Sequence, residues 1–349
     1  MRSPIERHSY AHGQLFHPGS LTDKSHAGQT LVGATLSGAD LRQLVLTGGS
    51  ARYAQLDAAD LRAADLAGAD IAASNLRSAD LRRARLMGLC APFADLEAAE
   101  LREARLPGPK LVQATLQHAR LDRADLAQAM LTGADLSWAS LRGATLGGAN
   151  LALATLYSAQ LDRADLSSAN LRAADMRADS AKEACFVSAT LVEADLEIAK
   201  LSNANLRDAT LTAANLRSAY LTGATLSQAR LRAVTLIGAK LSDSDLSNTD
   251  LTDARMNDAT VQDATLRNAR LPGACLHRAI VSDSDLRGCD LRRSRCQGAH
   301  LWQVDLRGAG LSAARLDGAR LWSLEIDATT IFRPLGPVCI QGIPKSAEV

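Results

Sequence analysis

Apolar side chains recur at every fifth position of this chain, in one register from Leu31 to Ile331. Leucine occupies 49 of those 61 positions, and the remaining positions are mostly apolar as well. Alanine usually stands two residues earlier, and Asp or Asn often stands one residue earlier, as in Ala59-Asp60-Leu61. Because no insertion or deletion interrupts this register, the pattern predicts one repeating architecture over most of the chain.

A period of five fits neither a helix nor a continuous strand. On an α-helix, five residues advance by about 500°, so the leucines would point in every direction. On a strand, an odd period would send successive leucines to opposite faces of the sheet. Leu and Ala both stay inside only when the chain turns a corner in every repeat, and four short sides then close one coil in about 20 residues. The pattern therefore predicts stacked, four-sided coils.

The consecutive Ala-(Asp/Asn)-Leu-X-X units resemble the pentapeptide-repeat family over residues 29–333. The resemblance implies an all-β fold, a right-handed quadrilateral parallel β-helix (a solenoid), here with about 15 coils. It also implies that Leu points to the axis with Ala beside it, while Asp or Asn lies outside or at a corner. Asp and Asn suit corners because their side chains can bond nearby backbone groups.

The segments outside the repeat are expected to close the two ends of the solenoid. Residues 1–28 are predicted to form an N-terminal leader or cap, residues 29–333 the β-helix, and residues 334–349 a C-terminal tail or cap. Phe16 and Leu21 are in phase with the repeat, which predicts a degraded first coil that begins near residue 14. Caps are needed because an end coil would otherwise expose leucines and unpaired strand edges.

Composition narrows the functions that this architecture can carry. The chain has 39 basic and 38 acidic side chains, a net charge of +1, and only 3% aromatic residues. A near-neutral chain lacks the basic stripe that nucleic-acid binding requires, so direct nucleic-acid binding is not expected. The sequence starts without a secretory signal and contains no apolar run long enough to span a membrane, which predicts a cytoplasmic protein.

No arrangement typical of catalysis or metal binding stands out. The many Asp residues occupy corner positions of the repeat, which explains them without acid–base chemistry. Four histidines precede the repeat at spacings that match no zinc motif, namely His8, His12, His17 and His26. The six cysteines form no close Cys-X-X-Cys pair and are expected to be reduced, structural thiols. We therefore predict a protein that is not an enzyme and that has no cofactor and no metal site.

Two arginine ladders are candidates for an interaction surface. In the first ladder, each arginine follows an inward leucine, and successive arginines stand one predicted coil apart: Arg42, Arg62, Arg82 and Arg102. Acidic residues run beside them: Asp40, Asp60, Asp80 and Glu100. This side of the coils is either a salt-bridged, solvated face or a docking strip for an acidic partner. The second ladder lies on another face and also has acidic neighbours: Arg267, Arg287 and Arg307.

Trp302 and Trp322 are the other candidate surface. Both follow an inward leucine, and they stand one coil apart, so both indoles should project outward and lie close together. Exposed Trp side chains often mark contact surfaces. Three partners remain open: the C-terminal cap, a second subunit in a homodimer through the C-terminal end, or another protein. Trp138 is also expected to point outward, but to stand alone.

These observations favour a non-enzymatic scaffold, a rigid bacterial rod that binds an unknown protein partner. The family includes proteins that bind DNA gyrase or another topoisomerase and protect it from quinolones or toxins, by resembling duplex DNA. That alternative is disfavoured here, because a duplex carries one negative charge per about 1.7 Å and this chain is nearly neutral. Association with a secretion system, or delivery as an effector, is a further alternative that the family allows.

Overall fold

The computed structural model describes residues 9–11, 14–16, 25–331, 333–335 and 339–341. Contacts within the chain divide it into two units, Met1–Asp175 and Met176–Val349. In each unit, parallel bridges join a residue to its equivalent in the next coil. Such bridges recur at every fifth position, so the chain passes along four sides before it returns to the first. Each unit is therefore a four-sided parallel β-helix, as the five-residue period predicts.

The described N-terminal residues form a hairpin rather than a coil. Strand β1 (Ser9–Ala11) pairs antiparallel with β2 (Gln14–Phe16). The first parallel bridge joins Ser25 to Val45. The prediction of a degraded first coil from residue 14 is wrong for Phe16, because β2 pairs with β1 and not with a following coil; Leu21 lies outside the described residues.

Longer strands occur on one side of the second unit. The strands β3 (Thr260–Gln262), β4 (Ile280–Ser282), β5 (His300–Trp302), β6 (Arg320–Trp322) and β7 (Cys339–Gln341) form a parallel sheet in that order. The residue before each buried position of β3–β6 is Thr, Ile, His or Arg rather than Asp or Asn. β-Branched Thr260 and Ile280 favour the extended backbone at two of these positions. Strand β7, in the segment predicted to be a tail, covers the hydrogen-bonding edge of β6.

The corners from Gly28 to Ser323 are tight turns with the same backbone geometry. In the turn from Leu61 to Ala64, the Ala64 N–H donates to the Leu61 carbonyl at 3.0 Å. The second central residue has a positive φ, between +51° and +72°, at every fifth position from Gly28 to Ser323. A positive φ at that position alone is typical of a type II turn. Glycine occupies 17 of these positions and other residues occupy 43, so most corners adopt the left-handed conformation at some cost in energy.

Burial of Leu and Ala along the axis offsets that cost. Every inward residue from Leu31 to Leu321 has at most 6% of its surface exposed. A buried Leu contributes roughly 1.5–3 kcal/mol, whereas Ala is small enough to fit between neighbouring leucines. At four of the positions where Ser or Thr replaces Ala, the hydroxyl donates to a backbone carbonyl. The Ser244 hydroxyl donates to the Leu241 carbonyl at 2.6 Å, and Thr249 repeats this contact.

The Asp or Asn of the motif accepts a hydrogen bond from a backbone N–H group that has no partner in a neighbouring coil. The first turn residue cannot donate its N–H to a neighbouring coil. Instead, the Arg62 N–H donates to Asp60 Oδ1 at 3.2 Å, and the Ser137 N–H donates to Asp135 Oδ1 at 2.9 Å. This is the local side-chain bond expected of Asp and Asn at a turn. The pattern Ala-(Asp/Asn)-Leu-X-X therefore encodes both the core and the corner.

The regular register ends one five-residue repeat before the sequence pattern does. In the register of the preceding coils, Gly310 would pair with Thr330. It pairs instead with Ile331, one position later, and 52% of the surface of Ile331 is exposed. The expected inward position at Ile331 is therefore wrong. The cause is a turn with one extra residue, in which Asp327 Oδ1 accepts the N–H groups of Thr329 and Thr330 at 2.9 and 3.1 Å. The division into leader, β-helix and tail stays a prediction.

Candidate interaction surfaces

The two C-terminal tryptophans lie side by side on a surface that we call the Trp face. In the parallel register of β5 and β6, Trp302 is the direct partner of Trp322. Their exposed fractions are 55% and 57%. The Trp face comprises the outward residues of five successive coils, in a first column (Lys240, Thr260, Ile280, His300, Arg320) and a second column (Ser242, Gln262, Ser282, Trp302, Trp322).

A groove of about 380 Å³ crosses the Trp face. Its apolar walls are Ile280, Trp302 and Trp322, and Ile280 is 49% exposed. The groove exists because Ser282 is much smaller than Trp302, its partner on the next strand. Ser282 is itself buried, and its hydroxyl makes no hydrogen bond within the described part of the chain. The floor of the groove therefore offers a polar group that a partner could bind.

The first arginine ladder is a row of salt bridges. Arg62 Nε donates to Asp60 Oδ1 at 2.8 Å and Arg62 Nη2 to Asp60 Oδ2 at 2.6 Å. The same guanidinium lies 3.6 Å from Asp80, one coil further on. Arg42 and Arg82 repeat the bidentate contact with the acidic residue of their own coil. Arg102 donates to Glu100 at 2.9 Å.

These contacts keep the charges of the first ladder fixed and balanced. The side-chain hydrogen bond from Arg62 lowers the pKa of Asp60 below its ordinary value, and Arg82 does the same to Asp80. The side-chain hydrogen bond to Asp40 raises the pKa of Arg42. A ladder of alternating charges favours the interpretation as a salt-bridged, solvated face. Docking of an acidic partner at Arg42, Arg62, Arg82 and Arg102 stays a prediction.

The second ladder in the other unit has the same construction. Arg287 Nη2 lies 2.7 Å from Asp285 Oδ2, and Arg287 Nε lies 3.3 Å from Asp305 Oδ2 in the next coil. Arg267 also pairs with Asp285, and Arg307 contacts both Asp305 and Glu325. Arg287 and Arg307 therefore each join two successive coils. Neither ladder presents an unbalanced row of positive charge.

Trp138 does not stand alone, contrary to expectation. Its indole stacks on the ring of His118, with the ring centres 5.1 Å apart and the planes 8° from parallel. Tyr157 contacts the indole edge-on at 5.7 Å. The signal for the first contact is present in the sequence, because residues 118 and 138 are one coil apart and at the same corner. Trp138 is therefore held in place by its neighbours.

The thiols of Cys289 and Cys296 are buried in the core. Burial raises the pKa of Cys289 to about 12 and that of Cys296 to about 11. Cys90, Cys185 and Cys275 are half-buried and form no disulfide. The described residues contain no cluster of three or more potential metal ligands. Of the four early histidines, only His26 is described; it contacts Gln29 at 2.8 Å, and His8, His12 and His17 lie outside the described residues.

The family model for pentapeptide repeats matches residues 30–102, 110–177 and 189–322. The chain belongs to the pentapeptide-repeat family. Its fold is therefore a right-handed quadrilateral β-helix, which confirms the fold predicted from the five-residue period. The assignment adds no catalytic residue. A screen of the described residues for helices that could cross a membrane found none.

Solved structures of other pentapeptide-repeat proteins resemble this chain. HetL, involved in heterocyst differentiation in the cyanobacterium Nostoc sp. strain PCC 7120, is 30% identical over 67% of this chain and 90% of its own, with a TM-score of 0.27. The fluoroquinolone resistance protein QnrB1 is 17% identical over 61% of this chain and 92% of its own, with a TM-score of 0.24. A thylakoid-lumen protein of Arabidopsis thaliana is 32% identical over 27% of this chain and 61% of its own, with a TM-score of 0.16. A search of curated sequences found no match.

Proposed function

We propose that this pentapeptide-repeat protein is a non-enzymatic interaction scaffold and that the Trp face is its contact surface. The observation that carries the proposal is the pair of exposed indoles of Trp302 and Trp322 beside Ile280, around one groove. Contiguous exposed apolar side chains are unusual on a soluble surface and typically mark a contact. Tryptophan is also enriched among the residues that dominate binding energy.

The remaining surfaces support this choice by contrast. In both arginine ladders the charged groups bind each other, so a partner would have to compete with existing salt bridges. Trp138 is already in contact with His118 and Tyr157. In the Trp face, by comparison, large apolar groups and the hydroxyl of Ser282 line an open groove. A protein partner that covers this groove would bury apolar area that is now exposed to water.

Affinity capture with the full chain tests the proposal. We expect the wild-type protein to retain a specific set of proteins, and the double variant Trp302→Ala, Trp322→Ala to lose it, because truncation of a central aromatic residue commonly weakens binding by more than tenfold. The matched control is Trp138→Ala, which removes an exposed indole from a different surface. Retention of the same proteins by the double variant would disprove the proposal. The thermal unfolding profile of each variant shows whether the fold is intact.

A further inference from the structure

The two edges of the Trp face carry opposite charges that nothing else in the described structure pairs. Lys240 and Arg320 lie in the first column, and Lys240 Nζ contacts only the Thr260 hydroxyl, at 3.3 Å. Three exposed carboxylates follow the second column, at the corner of successive coils: Asp243, Asp263 and Asp283. None of the three makes a salt bridge within the described residues. In both ladders, by contrast, the acidic residues are paired with arginines. At the Trp face, cations lie on one edge, and carboxylates that are unpaired among the described residues lie on the other.

A surface with an apolar centre and opposite charges on its two edges can be complementary to itself. When two copies face each other about a twofold axis parallel to the stacking direction, coils stay at the same level and the columns exchange sides. Lys240 then faces the partner's Asp243, and Asp243 faces the partner's Lys240. Trp322 likewise faces the partner's Arg320, and Trp302 faces the partner's His300. Guanidinium groups bind favourably over the face of an indole.

The other twofold arrangement brings like charges together. An axis parallel to the strands, through β4, reverses the order of the coils and keeps each column on its own side. Lys240 would then face the partner's Arg320, Asp283 would face the partner's Asp283, and Asp243 would lose the cation that it meets in the first arrangement. Like charges at an interface cost binding energy and suppress that arrangement. The charges therefore select the axis parallel to the stacking direction.

We propose that the Trp face binds the Trp face of a second copy of this chain, about a twofold axis parallel to the coil stack. This inference rests on the proposed function, because it names the partner of the same surface. The resulting dimer is lateral, and therefore differs from a homodimer through the C-terminal end. The face is narrow, because each coil contributes one short side to it, so the interface belongs to the small class that dissociates on dilution.

Sedimentation velocity over a range of protein concentrations tests the proposal with the full chain. We expect a concentration-dependent dimer whose dissociation constant rises about tenfold in Lys240→Glu and in Asp243→Lys, because each reversal creates two like-charge contacts per dimer. The equimolar mixture of the two single variants should recover a dimer. In the heterodimer the two substituted residues carry opposite charges and face each other, and the unchanged Asp243 of one copy faces the unchanged Lys240 of the other. Asp253→Lys is the matched control, because Asp253 is an exposed aspartate at the same turn position of a different corner; it should dimerise normally.

Three outcomes would overturn the proposal. One is a wild-type protein that remains monomeric up to millimolar concentration. The second is a dimer that tolerates both single reversals, and the third is a dimer that both reversals disrupt without recovery in the mixture. The proposed function is tested separately: if Trp302→Ala, Trp322→Ala loses its captured proteins while the wild type stays monomeric, the scaffold stands and only the second copy is excluded. Intact thermal unfolding of the charge variants confirms that the effect lies in association.

Discussion

At the scale of single residues, the corner position shows how a repeat can accept unfavourable local geometry. Ile198 has a φ of +62° and an exposed side chain. A β-branched residue rarely adopts a positive φ, because Cβ then approaches the carbonyl oxygen. Neighbouring coils fix the backbone through hydrogen bonds on both sides, so the side chain has to accept the conformation. Local strain of this kind should be removable one residue at a time.

We predict that Ile198→Asn stabilises the protein. Asn tolerates the left-handed conformation, whereas for Ile it costs roughly 1–2 kcal/mol, and the exposed Ile side chain loses little burial when replaced. The free energy of unfolding in urea should therefore rise by about 1 kcal/mol. The reciprocal control is Asn203→Ile, at the same turn position in the next repeat but with φ of +58°, which should destabilise the protein by a similar amount. Equal stability of all three proteins would contradict the prediction.

The buried cysteines provide a second prediction at this scale. Because burial raises the pKa values of Cys289 and Cys296 to about 12 and about 11, their thiolates are scarce near pH 8. A pKa higher by two reduces the thiolate fraction by about 100-fold. Maleimide labelling followed by mass spectrometry should modify half-buried Cys275 well before either buried thiol. Similar labelling rates in the native protein would contradict this, and labelling in urea serves as the control for accessibility.

At the scale of elements, the five-residue period predicts the repeated coils but not their ends. Leu, Ala and Asp determine each coil through local turns and short-range packing, so their spacing suffices. The ends depend on individual contacts: Phe16 belongs to a hairpin, and Ile331 follows a turn with one extra residue. The stacking of Trp138 on His118 could have been predicted from their equivalent positions in successive coils. The groove beside Ser282 could not, because it depends on the width of neighbouring side chains in the register of β4 and β5.

The terminal turn should open in acid. Hydrogen bonds from the Thr329 hydroxyl and from backbone N–H groups lower the pKa of Asp327 to about 2. A carboxyl group with a depressed pKa in the folded state contributes stability above its unfolded pKa, near 4, and this contribution is lost as the pH falls through about 2. Hydrogen exchange of Thr329 should therefore accelerate, relative to the intrinsic rate, between about pH 4 and pH 2.

The matched comparison for this turn is the variant Asp327→Ala. It removes the acceptor of the Thr329 N–H, so this amide should exchange rapidly at every pH, whereas the Thr330 N–H keeps the Asp327 carbonyl as an acceptor at 3.0 Å. Amides of the central coils, such as Leu226, provide the internal reference because they donate to a neighbouring coil. Unchanged protection of Thr329 in the variant would show that the carboxylate does not hold this turn.

At the scale of the whole molecule, the near-zero net charge is accompanied by local pairing of arginines with acidic residues. The 39 basic and 38 acidic side chains are organised so that arginines of both ladders join acidic residues of successive coils. Such networks add little stability per exposed pair but leave each ladder without a dominant sign. The Trp face, where charges are separated, contrasts with both ladders. Binding is therefore expected where the charges are unpaired, at the Trp face, and not along the ladders.

The same balance leads us to predict that the protein does not protect DNA gyrase from a quinolone. A surface that substitutes for DNA has to present a continuous row of negative charge, whereas both ladders alternate acidic and basic groups. In a supercoiling assay with the quinolone present, the wild-type chain should leave inhibition unchanged, and a reaction without the quinolone serves as the reference for full supercoiling. Recovery of supercoiling in the presence of the chain would contradict the charge argument. A second variant, in which Arg42, Arg62, Arg82 and Arg102 are changed to Gln, exposes the carboxylates of the first ladder. If this variant alone inhibits gyrase or protects it, the paired arginines are what keeps the wild-type surface from resembling DNA.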